Sequence, residues 1–80
     1  MINWKEHIIS DEKVLLGKPV IKGTRISVDL IIGRLADGWS VQDILESYPS
    51  LKMENVLAIF AYLHECMEDG LLFNHLEKTA

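Results

Sequence analysis

Residues 17–25, GKPVIKGTR, hold the groups in this 80-residue chain that are best suited to binding an anion. Lys18, Lys22 and Arg25 bring positive charge to the segment, and positive charge is what neutralises phosphates in nucleic-acid binding. The glycines can expose backbone N–H groups to a phosphate, and Thr24 has a hydroxyl to donate. Arg34, a further cation in the first half of the chain, could add to this charge. The candidate DNA-binding residues are therefore Lys18, Lys22, Thr24, Arg25 and Arg34.

A structural role explains the same cations without any nucleic acid. Arg25 can pair with an acid such as Asp29 or Asp43, and the two lysines can simply be solvated. A two-fold dimer would double the cationic patch and favour DNA binding. The sequence leaves both interpretations open.

The second half of the chain carries the opposite charge. Residues 1–39 hold six Lys or Arg and five Asp or Glu, whereas residues 40–80 hold two and seven. Acidic side chains alternate there with apolar ones, which suits a protein partner with a basic, apolar-walled groove. The candidate partner-binding residues are Leu57, Ala61, Tyr62, Glu65, Glu68, Leu71, Leu72, Phe73 and Leu76. The alternative is a solvated helix end followed by a disordered tail.

The remaining reactive groups do not form a catalytic pattern. His64 and Cys66 project about 200° apart on a helix, so they cannot chelate one ion. Glu65 and Glu68 disfavour a thiolate at Cys66, which makes that cysteine a poor nucleophile. We therefore predict no enzymatic activity, no metal site and no cofactor.

Capping and breaking residues predict three helices after an extended arm. Ser27 caps the first helix and Gly38 ends it, while Ser40 opens the second with Asp43 three residues later, close to a capping box. Pro49 stops the second helix. The third runs from about Met53 to Asp69, with Gly70 as its C-terminal cap. Before them, short strands joined by turns are expected over residues 6–22, and Pro19 predicts an edge position there.

These elements predict a mainly α fold, a three-helix, helix-turn-helix (homeodomain-like) bundle with a short N-terminal β segment. We expect one domain over residues 1–80. Residues 1–26 form the extended arm with the basic turn, residues 27–70 form the three-helix unit, and residues 71–80 form a tail.

The third predicted helix has more apolar surface than one face requires. Val56, Ile59, Phe60, Leu63 and Met67 fit a core stripe, yet residues 56–63 carry no charge on any side. A helix that is apolar all round must be covered on more than one face. The N-terminal strands can provide that cover, or a second subunit can, and the pattern does not choose between them. The surplus favours a homodimer or another partner.

The polar residues at the start of this helix do not favour reading of DNA bases. Asn55 could address an adenine edge, but Glu54 beside it would repel phosphate. A structural role of the helix-turn-helix as a scaffold therefore explains the sequence as well as a role in reading DNA does.

Composition narrows the class of protein further. The net charge is −4, the apolar fraction is 49 %, and Cys66 is the single cysteine, so no internal disulfide can form. No apolar run approaches the ~18–20 residues of a membrane span. A cytoplasmic protein without membrane contact is expected.

The stretch from Gly17 to Leu51 resembles the small prokaryotic domain-of-unknown-function family numbered 433. The residues that carry this resemblance are Gly17, Pro19, Ile21, Gly23, Thr24, Arg25, Ile26, Gly38, Ser40, Asp43, Ile44, Leu45, Tyr48, Pro49 and Leu51. The chain departs from the family pattern in three places. Leu15-Leu16-Gly17 stands where the family often has Cys-Gly-Gly, Lys52 stands where it often has Thr, and residues 53–69 contain no Lys or Arg.

The resemblance implies a homeodomain-like fold and a role as an antitoxin of the VapB kind, paired with a PIN-like nuclease toxin. Operator DNA is a second implied partner. The alternative function is a non-enzymatic protein-interaction or structural module without nucleic-acid binding.

Overall fold

The computed structural model describes residues 1–70. Three helices follow a short β arm: α1 spans Val28–Ala36, α2 spans Val41–Ser47 and α3 spans Met53–Glu68. The arm contains strands β1, Ile8–Ile9, and β2, Val20–Ile21, with 3-10 helices at Trp4–Glu6 and Leu15–Gly17. The predicted three-helix fold with an N-terminal β segment is confirmed.

The two strands pair antiparallel, with Ile8 opposite Ile21 and Ile9 opposite Val20. β2 also has contacts on its other side, because Val20 bridges Ser27 and the Pro19 carbonyl accepts the Val28 N–H at 2.9 Å. β2 is thus an edge strand of a two-stranded sheet, as Pro19 predicts, and its outer side is partly covered by the start of α1. Backbone hydrogen bonds on both sides of β2 connect the arm to the start of α1.

Side-chain caps set the helix boundaries close to where the sequence predicts them. The Ser27 hydroxyl accepts the Leu30 N–H at 3.0 Å, and Ser40 and Asp43 form the full capping box. At the end of α1, Gly38 has a φ of +99° and the Trp39 N–H reaches the Arg34 carbonyl at 3.1 Å, a Schellman arrangement.

The core lies where the arm, α1, α2 and α3 meet. Its buried residues are Ile8, Ile21, Val28, Ile31, Ile44, Leu51, Ala58 and Ile59. Both strands contribute to it, so the arm is part of the folded unit. Within residues 1–70, no helix is long and apolar enough to cross a membrane.

Candidate functional site

The basic turn is a β-turn locked by its own threonine. The Thr24 N–H donates to the Ile21 carbonyl at 3.0 Å, and Gly23 has a φ of +82°, which favours glycine. The Thr24 hydroxyl donates to the same carbonyl at 2.8 Å and accepts the Ile26 N–H at 3.0 Å. This hydroxyl would have to give up a bond within the turn before it could donate to a phosphate.

The cations of the turn differ in what they contact. Lys18 lies 3.7 Å from the carboxylate of Asp29, and both side chains are exposed. Lys22 and Arg25 are exposed as well, and neither makes a salt bridge to any acid among residues 1–70. The structure therefore pairs Arg25 with neither Asp29 nor Asp43. Asp43 instead accepts the Ser40 N–H in the capping box.

Arg34, the fifth DNA-binding candidate, braces α1 against α2. Its Nε donates to the Tyr48 hydroxyl at 3.3 Å, and its guanidinium carbon lies 5.1 Å from the centroid of the Trp39 ring. The hydrogen bond to Tyr48 raises the pKa of Arg34 above its ordinary value. These contacts give Arg34 a structural function.

The start of α3 uses Asn55 where a capping side chain is missing. Lys52 occupies the N-cap position but provides no side-chain acceptor, and the Asn55 Oδ1 accepts the Lys52 N–H at 2.9 Å. An adenine edge needs both the oxygen and the nitrogen of an asparagine amide. The oxygen of Asn55 is already engaged in holding the helix end, which weighs against base reading from here.

The N-terminal arm covers one side of α3. Trp4 packs edge-on against Tyr62, with ring centroids 4.8 Å apart and an interplanar angle of 63°. Burial raises the pKa of the Tyr62 phenol, and Cys66 adds to the shift. The intramolecular cover that the sequence left open is thus present on this side, and Tyr62, a partner-binding candidate, lies partly beneath Trp4.

The opposite side of α3 carries an exposed apolar stripe. Four apolar side chains have exposed fractions between 43 and 51 %: Met53, Leu57, Phe60 and Met67. His64, which lies between Phe60 and Met67 in the sequence, is also exposed. The assignment of Phe60 and Met67 to the core is therefore wrong, whereas Val56 and Ile59 are fully buried. We call the set Met53, Leu57, Phe60, His64 and Met67 the α3 stripe.

A groove of about 500 Å³ opens beside the α3 stripe, between α3 and the first two residues of the chain. Its lining consists of Met1, Ile2, Leu57, Phe60, Ala61 and His64. Ala61 is 5 % exposed, so a small side chain forms the floor of the groove while larger ones form its walls. The groove is apolar except for the imidazole of His64.

Carboxylates lie beside this apolar surface. Glu54, Glu65, Glu68 and Asp69 are exposed, and residues 53–69 contain no Lys or Arg. Glu68 lies 2.8 Å from the Nδ1 atom of His64 one helical turn earlier. Two partner-binding candidates, Glu65 and Glu68, also line a second, polar groove near Lys5.

The candidates Leu71, Leu72, Phe73 and Leu76 lie outside the described residues. The sequence reasoning found Leu57 but missed Met53 and the contribution of Met1 and Ile2. A usable signal was present, because apolar or imidazole side chains recur at spacings of four and three residues from Met53 to Met67.

Taken together, the fold and these surfaces define a small three-helix domain with a β arm and an exposed apolar helix face. Residues 8–63 match the family described as protein of unknown function (DUF433). The chain belongs to this family, as the motif from Gly17 to Leu51 indicates.

Two relatives show how this domain occurs elsewhere. The uncharacterized protein y4eO of Sinorhizobium fredii is 38 % identical over 52 residues, which cover 65 % of this chain and 24 % of that protein. An uncharacterized protein of Archaeoglobus fulgidus is 67 % identical over 24 residues, which cover 30 % of this chain and 67 % of that protein. This chain thus spans about a quarter of the length of y4eO. No solved structure matches.

Proposed function

We propose that this protein is the antitoxin of a type II toxin–antitoxin pair, which binds and neutralises a PIN-like nuclease toxin. The observation that supports this proposal most is the α3 stripe, whose apolar side chains stay about half exposed although the arm covers the other side of the helix. Contiguous exposed apolar surface with a polar rim is typical of protein-binding sites.

The charge around the α3 stripe supports a nuclease as the partner. A ribonuclease needs positive surface to hold its polyanionic substrate. Glu54, Glu65 and Glu68 give α3 the opposite sign. Carboxylates would steer the two proteins together, and the apolar side chains would supply affinity.

The test first asks whether a PIN-like nuclease is encoded beside the gene for this protein, and then combines the two purified proteins. We expect the two proteins to copurify, and we expect excess of this protein to stop the nuclease from cleaving single-stranded RNA. Undiminished cleavage at excess protein would contradict the proposal, and so would the absence of any such nuclease gene.

Operator DNA is a second candidate partner, favoured by a different observation. Lys22 and Arg25 project from a rigid turn and form no salt bridge among residues 1–70. In a gel-shift assay at low salt on its own upstream DNA, we expect the Lys22→Ala/Arg25→Ala variant to bind more weakly than wild type. Each lost phosphate contact also reduces the salt dependence of binding.

Lys13→Ala provides the matched control for the gel-shift assay, since Lys13 is an exposed cation outside the turn. Equal binding by wild type and the double variant would show that the basic turn does not hold the DNA. No binding at all would leave the alternative function, a protein-interaction module without nucleic-acid binding. The predicted homodimer stays a prediction that analytical ultracentrifugation can check.

A further inference from the structure

The α3 stripe has the spacing of a helix–helix seam. Its members follow one another at intervals of four, three, four and three residues, an average of 3.5. That period places side chains along one line of a helix, where a second helix packs against them. The fourteen residue steps from Met53 to Met67 extend this line over ~21 Å. A helix is therefore the partner element that matches the stripe along its whole length.

The carboxylates lie on one flank of the seam only. Glu54, Glu65 and Glu68 each follow a member of the α3 stripe by one residue, which is a rotation of about 100° in the same direction. The other flank turns into the core through Val56, which is 1 % exposed. Any helix on the stripe would therefore face acidic side chains along one of its edges and the protein body along the other.

This distribution of charge argues against a second copy as the occupant. Residues 53–69 contain four acids and no Lys or Arg. Two such helices packed through their stripes would bring like charges together at the rim of an apolar seam, which is unfavourable. A helix with Lys or Arg along one edge would instead be attracted by the carboxylates on that flank.

We infer that the α3 stripe is the docking site for an amphipathic helix of a partner protein, with apolar residues at 3-4 spacing and cations along one edge. One apolar side chain of this helix enters the groove between Phe60 and the Met1–Ile2 segment. The inference rests on the proposed function in so far as the partner is the nuclease. It goes beyond it by naming the docking element and its chemistry.

A synthetic helix tests this inference without the nuclease. The probe is a fluorescently labelled 21-residue peptide with Leu at 3-4 spacing and Lys along one edge, and the reference peptide carries Glu in place of Lys. We expect the Lys peptide to bind the full chain, as measured by fluorescence anisotropy, and the Glu peptide to bind about tenfold more weakly or worse.

Two variants separate the apolar contact from the charge. Leu57→Glu and Phe60→Glu add a negative charge to the stripe, which alone would strengthen binding of the Lys peptide. We expect them to weaken it by about tenfold or more, because they remove apolar side chains at the centre of the seam. Leu30→Glu makes the same change at an exposed leucine of α1 and should leave binding unchanged. Circular dichroism checks that each variant folds.

The outcomes distinguish this inference from the proposed function. If the nuclease binds wild type and both stripe variants equally, the inference fails while the proposed function stands. If the Lys peptide binds the stripe but the nuclease does not bind, the reverse holds. Equal binding of the Lys and Glu peptides overturns the inference that the partner helix carries cations along one edge. If the protein forms a homodimer that Leu57→Glu dissociates, the stripe binds a second copy of this chain, and the inference fails.

Discussion

The arm, residues 1–26, and the three-helix unit, residues 27–70, are held in place by different physical means. In the arm, two-residue strands and turns depend on backbone hydrogen bonds, and Leu15, Leu16, Gly17 and Gly23 all have positive φ values. In the helical unit, capped helices bury apolar side chains against one another. The comparison indicates that the arm is sensitive to changes in backbone freedom and the helices to changes in side-chain volume.

The largest effect is expected in the helical unit, at the buried side of α3. Ile59 is fully buried, so Ile59→Ala leaves a cavity and should lower the free energy of unfolding by about 2–5 kcal/mol. A chain of this size has only about 4–12 kcal/mol to lose. Urea denaturation followed by circular dichroism measures the change.

Phe60→Ala is the control for Ile59→Ala, because the two residues are neighbours on α3 and Phe60 is 47 % exposed. We expect Phe60→Ala to lower the free energy of unfolding by about 1 kcal/mol or less, since about half of the Phe60 side chain stays in contact with water in the folded protein. Ile59→Val, with an expected cost of about 0.5–1.5 kcal/mol, keeps the test valid if Ile59→Ala does not fold. Equal costs at Ile59 and Phe60 would contradict the assignment of the two faces.

A smaller effect is expected at the basic turn, where the backbone dominates. No heavy atom lies within 4 Å of a Cβ added at Gly23, yet φ is +82°, so Gly23→Ala should cost about 1 kcal/mol through backbone strain alone. Gly33→Ala is the matched control, because Gly33 also has open space around it but lies within α1. There alanine should stabilise the protein by about 0.5–1 kcal/mol. A loss of stability at Gly33 as large as that at Gly23 would contradict the assignment of the cost to the positive φ.

The opposite sign is expected at Leu16, a residue of the arm with a φ of 56° and an exposed fraction of 95 %. Leu16→Gly removes a left-handed strain of about 1–2 kcal/mol and sacrifices almost no burial. The greater freedom of glycine in the unfolded chain offsets part of the gain. Thermal unfolding should show a net stabilisation of about 0.5–1 kcal/mol.

Leu15→Gly sharpens the Leu16 experiment. Leu15 has a similar φ of 50° but is only 44 % exposed, so its side chain contributes contacts that glycine would lose. The gain should therefore be smaller than at Leu16. No gain at either residue would mean that the left-handed conformation costs the arm nothing.

The helices were predictable from sequence because their ends are chemically marked. Ser27 and Ser40 accept backbone N–H groups at the starts of α1 and α2, and Gly38 adopts the left-handed conformation after α1. The arm was predictable only as short extended segments. The second partner of β2 depends on contacts with residues after the turn, which no local pattern shows.

The candidate site was predictable only in part for a related reason. Residues 56–63 are apolar on all sides, so periodicity could not indicate which side is covered. The cover on Tyr62 comes from Trp4, nearly sixty residues earlier in the chain. Periodicity therefore predicts Phe60 in the core, although Phe60 lies on the exposed side. Charge was more informative, since the lack of Lys and Arg in α3 follows directly from the sequence.

The smallest predicted effect tests whether the caps contribute to the helical unit through charge. Asp43 accepts the Ser40 N–H at 2.9 Å, and this bond, together with the Ser40 hydroxyl, holds the pKa of Asp43 below its ordinary value. A depressed folded pKa means that the stabilisation is complete above the unfolded pKa of about 4. It is lost as the pH falls through the lower folded value. Asp43→Asn does not titrate, so the difference in free energy of unfolding from wild type should shrink between pH 7 and pH 3.

Urea denaturation of both proteins at the two pH values measures that difference for Asp43→Asn. Glu12→Gln corrects for the general effect of removing one negative charge, because Glu12 is exposed and its carboxylate makes no hydrogen bond or salt bridge within residues 1–70. A difference that stays constant for Asp43→Asn would show that the capping box acts through its geometry alone. The arm and the helical unit would then share a reliance on backbone hydrogen bonds that is independent of charge.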